Sequence, residues 1–222
     1  MQPASFGVAD PHHCPEDLVT DIPTSSVAVV IIDMQNGFCH PDGSFGQVGA
    51  DVSGCNAAIA GCVRIVEAAR AYGHPVVFTR AIHERGLTDW QVLSELPMFA
   101  GLRAISSCED GTWDADLVDA LKIAPGDLEF TKSRYSPFVE TDIEARLREM
   151  GIENLVFGGV GTSVCLESSV RDASQRDFRT FIVEDACGDI SPESHQGSLH
   201  IMGHMFGWNT TSADVAAAWG AA

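Results

Sequence analysis

A chain of 222 residues with 45% hydrophobic content carries enough apolar side chain to bury one sizeable core. Its formal net charge of −18 argues against a nucleic-acid partner or an anionic membrane surface, because both recruit clustered Lys and Arg. No apolar run is long enough for a transmembrane helix, so no membrane span is expected. The start, Met1-Gln2-Pro3-Ala4-Ser5, lacks a basic region followed by an apolar stretch, so no secretory signal is expected. Residues 1–25, rich in Pro, His and Asp, read as an extended arm, and residues 26–222 as one domain. The seven cysteines form no C-x-x-C pair and no zinc-finger spacing. Reduced thiols in a cytoplasmic protein are the simplest account, most of them acting as small buried hydrophobes.

In chain order, Val27-Ala28-Val29-Val30-Ile31-Ile32 is a continuous apolar run ending at Asp33, the pattern of a strand buried on both faces. Gly-rich loop sequence follows. A helix is predicted over 51–71, with Ile59, Val63, Val66 and Ala69 on one face and Gly73 at its end. Val76-Val77-Phe78-Thr79 is the second strand. Residues 81–113 are irregular, with a short helix around 90–96, and a loop of that length inside a compact domain points to function. A helix is predicted over 114–122, a turn at Pro125-Gly126-Asp127, and a third strand at 128–131 leading into Lys132. The helix over 141–150 has Thr141 as N-cap, Glu144 three residues on and Gly151 at its end. A strand at 155–160, a helix at 162–178, a strand at 179–184 and a helix at 192–205 complete the pattern. Strands alternating with helices predict an α/β fold, a three-layer α/β/α sandwich on a mostly parallel sheet.

In such sheets, sites gather beyond the carboxyl ends of strands. Asp33, Lys132 and Cys165 occupy three such positions and supply a base, a cation and a nucleophile. Cys165 falls in the first turn of a predicted helix, where the positive end of the helix dipole favours a thiolate. Lys132 adds a second favourable charge, and Asp33 can take the thiol proton and return it to a leaving amine. The turn before the cysteine can aim the backbone N–H groups of Gly161 and Cys165 at a carbonyl oxygen, an oxyanion hole worth roughly 3 to 4 kcal/mol per donor. Each residue also has a plain alternative: Asp33 as a turn-former, Lys132 as a solvated charge, Cys165 as core.

At these residues the sequence resembles the isochorismatase-like cysteine hydrolase superfamily, which includes nicotinamidases, N-carbamoylsarcosine amidohydrolases and ureidoacrylate amidohydrolases. The resemblance spans about residues 25–210. It rests on Val30 through Phe38, on Thr131-Lys132, on Gly158 through Cys165, and on Arg171-Asp172-Ala173. It implies that Asp33, Lys132 and Cys165 form a catalytic triad and that the reaction passes through a thioester acyl-enzyme. A cis peptide at Val160–Gly161 and homo-oligomerisation are also implied. Nicotinamidases carry an Asp-x-His metal pattern after the second strand, but here the segment reads Thr79-Arg80-Ala81-Ile82-His83-Glu84, so no metal and no cofactor are expected. Members that cleave the vinyl ether of isochorismate often lack the cysteine, so Cys165 speaks for a small amide or ureide substrate. Arg134 through Phe138 and Glu167-Ser168 look closest to the ureidoacrylate type. The alternatives are an isochorismatase-type or nicotinamidase-type hydrolase, and a catalytically idle scaffold.

Phe38, Trp90 and Tyr135 are candidates to line the substrate pocket, with core or interface roles as their alternative. Arg80, His83 and Arg85 are candidates to bind a substrate carboxylate, against a solvated loop. His12, His13 and Cys14, and the His200/His204 pair on the last predicted helix, are candidate metal ligands set against an unstructured arm and an ordinary helix face. Cys187 also follows a predicted strand end, with no helix starting behind it.

Overall fold

The computed structural model describes residues 21–220. The chain opens with strand β1 (Val27–Ile32). Two single-turn helices, α1 (Asn36–Cys39) and α2 (Ser44–Gln47), lead into the long helix α3 (Ser53–Tyr72). Strand β2 (Val76–Ala81) precedes a segment of 3₁₀ turns and the short helix α4 (Ala100–Ala104). Then come β3 (Leu128–Lys132), α5 (Ile143–Glu149), β4 (Asn154–Val160) and α6 (Glu167–Ser174). The chain continues through β5 (Arg179–Gly188), α7 (Pro192–Met205), β6 (Trp208–Thr210) and α8 (Ser212–Ala218).

The six strands form one sheet, in the order β3-β2-β1-β4-β5-β6, with every pairing parallel. The predicted three-layer α/β/α sandwich is therefore what forms. The alternation of β1 explains its position: Val27, Val29 and Ile31 enter the core under α3 and α8, while Ala28, Val30 and Ile32 enter the core under α5, α6 and α7. A central strand so placed reads as unbroken apolar sequence. Each large side chain in these two layers contributes about 1.5–3 kcal/mol. Two glycines permit the closest approaches. A Cβ at Gly159 would lie 2.1 Å from the Ile32 carbonyl oxygen, and one at Gly61 would lie 2.2 Å from that of Asp185, so β4 meets β1 and α3 meets β5 backbone to backbone.

The strand order reverses between β1 and β4. That is the topological switch point, where a crevice opens beyond the carboxyl ends of the strands. Asp33 follows β1 and Gly161 follows β4.

Several elements differ from expectation. No helix forms over 114–122; one 3₁₀ turn at Trp113–Ala115 is followed by irregular chain. The Asp114 carboxylate is taken by the N–H groups of Ser44 (2.8 Å) and Cys108 (2.7 Å), and Gln35 donates to the Ala115 carbonyl (2.9 Å), so bonds to other parts of the chain replace a helix ladder. The predicted helix 162–178 is two pieces, a π-helical turn at Thr162–Leu166 and then α6, which ends at Ser174. The helix expected from Thr141 begins at Ile143. The Thr141 hydroxyl still accepts from the Ile143 N–H (3.2 Å), but Glu144 reaches Arg176 (3.1 Å) rather than the cap. The 90–96 helix is 3₁₀ chain interrupted by positive φ at Gly86, Leu87 and Gln91. Cys187 lies within β5, which runs past the predicted end at 184, and its thiol donates to the Val183 carbonyl. The exposed three-residue strand β6 and the helix α8 were not expected. His12, His13, Cys14 and most of the proposed arm lie outside the described residues.

Candidate active site

The end of β1 is built to hold a carboxylate away from water. Asp33 has φ 49°, a left-handed conformation that Asp tolerates better than most residues, and it is 0% exposed. Thr79, a polar residue inside the apolar β2, donates its hydroxyl to Asp33 Oδ1 at 2.7 Å. Gln35 locks the neighbouring chain, donating to the carbonyls of Ala81 and Ala115 and accepting from the Ala81 N–H.

From the end of β3, Lys132 reaches across β2. Its Nζ lies 2.6 Å from Asp33 Oδ2, 3.0 Å from the Arg134 carbonyl oxygen and 3.6 Å from Cys165 Sγ. Three groups spread over more than a hundred positions of sequence therefore meet in one cluster, with Asp33 and Lys132 buried and Cys165 partly exposed. Burial favours the neutral amine of Lys132, but the charge of Asp33, followed by Cys165, outweighs it and holds the ammonium above its ordinary value.

Cys165 sits inside the π-helical turn rather than in the first turn of a regular helix. The turn closes on one acceptor, the Gly161 carbonyl, which takes the N–H groups of Val164 (3.0 Å) and Leu166 (3.2 Å). The Val160–Gly161 peptide bond is cis. Burial pushes the Cys165 thiol up to about 12 against the pull of Lys132, with the Asp33 carboxylate adding to the rise. Desolvation is the largest influence on the sulfur, and Lys132 is the neighbour that opposes it in favour of the thiolate.

The π turn is held by groups that the sequence did not single out. Asp189, beyond β5 and 7% exposed, accepts from the Ser163 N–H (2.7 Å), the Ser163 hydroxyl (2.8 Å) and the Ser191 N–H (3.1 Å). The Thr162 hydroxyl pairs with His195 Nδ1 at 2.9 Å. No clear sequence signal marks Asp189, because the apolar run of β5 is already broken by Glu184 and Asp185 before the strand ends.

The cluster opens into a cavity of about 110 Å³. That is room for several waters or one small organic molecule. Phe38, Trp90 and Tyr135 all line it, as do Phe45, Phe99 and Gly161. Trp90 makes edge contacts with His83, Phe99 and Tyr135, and its indole N–H is buried with no partner among the described residues. The three residues considered as carboxylate binders do not line the cavity. Arg80 pairs with Glu129, Arg85 with Glu109, and His83 with Asp89 (2.9 Å), and burial lowers the His83 pKa despite that aspartate. Arg134 lines the cavity, as does Lys132 of the cluster itself.

His200 and His204 stack on α7 with ring centres 4.2 Å apart. Among the described residues no three His, Cys, Asp or Glu side chains converge as a metal site, and no helix is long and apolar enough to cross a membrane.

Comparison with known proteins agrees with this architecture. The ureidoacrylate amidohydrolase RutB of Azorhizobium caulinodans is 35% identical over 211 residues, which cover 90% of this chain and 92% of that protein. Among solved structures, a cysteine hydrolase from Pseudomonas syringae pv. phaseolicola superposes with a TM-score of 0.79 at 24% identity, covering 90% of this chain and 95% of that one. An isochorismatase family protein from Desulfovibrio vulgaris superposes at 0.75 with 26% identity, covering 85% and 95%. The isochorismatase domain model matches residues 27–214, so the chain belongs to the isochorismatase family.

Proposed function

We propose that the protein is a cysteine amidohydrolase that cleaves the C–N bond of a small amide or ureido compound through a thioester. The observation that carries this reading is Lys132 Nζ bridging Asp33 (2.6 Å) and Cys165 (3.6 Å) in the lining of a largely apolar cavity. The similarity to ureidoacrylate amidohydrolases along 90% of the chain supports the same reaction class.

The chemistry follows from the charges. Burial opposes a free thiolate, so the nucleophile forms as it attacks: the proton passes to Asp33 while Sγ bonds to the carbonyl carbon. The charge that develops on the carbonyl oxygen is met by the N–H groups of Gly161 and Cys165 and by the nearby ammonium of Lys132. Asp33 then gives its proton to the departing nitrogen, the C–N bond breaks, and the acyl group stays on sulfur. Water enters, loses a proton to Asp33, attacks the thioester and frees the acid, and the thiol recovers its proton. Lys132 stays charged throughout, keeping Asp33 anionic between proton transfers. Phe38, Trp90 and Tyr135 wall the acyl group from bulk water.

Rapid acid quench during turnover tests this. The peptide containing Cys165 is expected to carry the mass of the acyl group, and Cys165→Ala to release no ammonia from any amide or ureide. Turnover by Cys165→Ala would overturn the nucleophile assignment.

A further inference from the structure

We propose that helix α7 is the splint of the nucleophile turn: His195 and Ser198, which lie outside the cavity, are positioning residues that hold the turn in the register that leaves the Cys165 N–H to the reacting carbonyl. This rests on the amidohydrolase reading and adds to it two residues that the chemistry itself does not name.

The π turn at Thr162–Leu166 releases that N–H. In a regular α-helix the Gly161 carbonyl would accept from the residue four positions on, which is Cys165. Here it accepts from Val164 (3.0 Å) and Leu166 (3.2 Å), the third and fifth positions on. The Cys165 N–H is therefore not spent on the Gly161 carbonyl, and Gly161 and Cys165 both line the cavity. Turns of this kind are rare and recur at functional sites, so the register needs support from outside the turn.

Two contacts from α7 supply it. The Thr162 hydroxyl, fully buried, pairs with His195 Nδ1 at 2.9 Å. Beyond the cysteine, Glu167 accepts from the Ser198 hydroxyl (2.5 Å) on one oxygen and from Arg171 Nε (2.8 Å) on the other. Thr162 and Glu167 bracket Cys165 in sequence, and His195 and Ser198 are neighbours on one face of α7. A slip to the α register would turn Glu167 by about 100° relative to Thr162, and the two contacts could not both persist. The splint is itself fixed. Ser191 caps α7 by accepting from the Ser194 N–H (3.2 Å), and Leu199 and Met202 pack in the same core layer as Leu166 and Val170. Thr162, Glu167, His195 and Ser198 do not line the cavity, so they act on the reaction through the turn.

Two reagents separate the oxyanion hole from the sulfur. p-Nitrophenyl acetate acetylates a thiol through a tetrahedral oxyanion: Sγ bonds to the ester carbonyl carbon, its proton passes to Asp33, and p-nitrophenolate leaves. Iodoacetamide alkylates the same sulfur by displacement of iodide, with no oxyanion formed. The p-nitrophenolate burst and the alkylation rate of Cys165 are measured on the full chain. Thr162→Val and His195→Leu are each expected to slow acetylation about 10- to 100-fold, as a displaced reacting group does, while alkylation changes little. Joined, they are expected to cost no more than one alone, because they remove a single contact. Thr162→Ser, which keeps the hydroxyl, is expected to acetylate like the wild type. Ser198→Ala is expected to give a smaller loss, since Arg171 still holds Glu167, and to deepen the loss in His195→Leu.

Acetylation and alkylation falling together, or acetylation unchanged in Thr162→Val, would overturn the splint; Thr162→Val decides alone should His195→Leu fail to fold. If Cys165 is acetylated with the expected losses in the variants, yet no amide or ureide releases ammonia, the splint stands and the amidohydrolase reading falls. A wild type that is alkylated but never acetylated at Cys165 has no working oxyanion hole, and the splint falls with it.

Discussion

Lys132 and Asp33 meet at 2.6 Å with side chains 0% and 1% exposed, so neither charge has water to fall back on. Such a pair is expensive to break from one side, because the survivor is left charged in an apolar setting. Lys132→Ala is therefore expected to cost about 3–5 kcal/mol in urea unfolding. It should also raise the thiol pKa of Cys165 further, since Lys132 is the neighbour that lowers it. A thiol titration unchanged in Lys132→Ala would remove the lysine from any electrostatic role at the sulfur. Asp33→Asn also leaves Lys132 without its buried counter-charge, so it is expected to lower the urea midpoint as well, and activity is read on protein that remains folded. The amide keeps an oxygen for Thr79 and a group of the same size, but it no longer accepts a proton at neutral pH. Ammonia release is expected to fall by at least about 100-fold, the usual worth of a general base, with the far-UV spectrum unchanged. Retained turnover would take Asp33 out of the proton path.

At the scale of elements, the π turn that carries Cys165 depends on its anchors. Asp189→Ala strips the Ser163 N–H and hydroxyl of their acceptor in a nearly closed site. It is expected to cost about 1–3 kcal/mol of stability and to lower kcat more than it raises KM, because a displaced turn misplaces the nucleophile. A KM change with kcat intact would make Asp189 a substrate contact instead. The same turn marks where sequence reasoning stopped. The buried strands were legible because β1, β2 and β4 are apolar runs, and Asp33 and Cys165, the candidate base and nucleophile, were singled out as polar residues beyond the ends of two of them. Helix α7 forms over Pro192–Met205, the span expected from the sequence. The helix expected at 114–122 failed because Asp114 and Gln35 spend their hydrogen bonds on distant backbone, which no local pattern records. Strand β6, with Trp208 and Asn209 exposed, carries no alternation to detect. That Arg80 and Arg85 are paired away from the cavity while Arg134 lines it is visible only in the fold.

For the molecule as a whole, the buried thiols set how stability responds to alkali. Cys39, Cys55, Cys62, Cys108, Cys165 and Cys187 are free, and in each of them burial comes first in raising the pKa above the ordinary 9.0, with Cys55 and Cys165 reaching about 12. The folded state then holds these protons more tightly than the unfolded chain does. Below about pH 9 both states are protonated and the contribution to stability is complete. As the pH rises from there toward 12, the unfolded chain sheds protons that the folded chain keeps, and stability declines. Each thiol contributes up to about 1.4 kcal/mol per pH unit to this decline. Lys132, also raised, acts in the same direction above its ordinary 10.5. The urea midpoint, measured under reducing conditions, is expected to hold steady from pH 7 to about 8.5 and then fall steeply through pH 10. Cys62→Ala, which removes one fully buried thiol, should make that fall shallower even where it lowers stability at pH 7. A midpoint flat from pH 8 to 10 would mean that these sulfurs ionise as readily in the folded chain as in the unfolded one, and the sealed interior around the sheet would then have to be discarded.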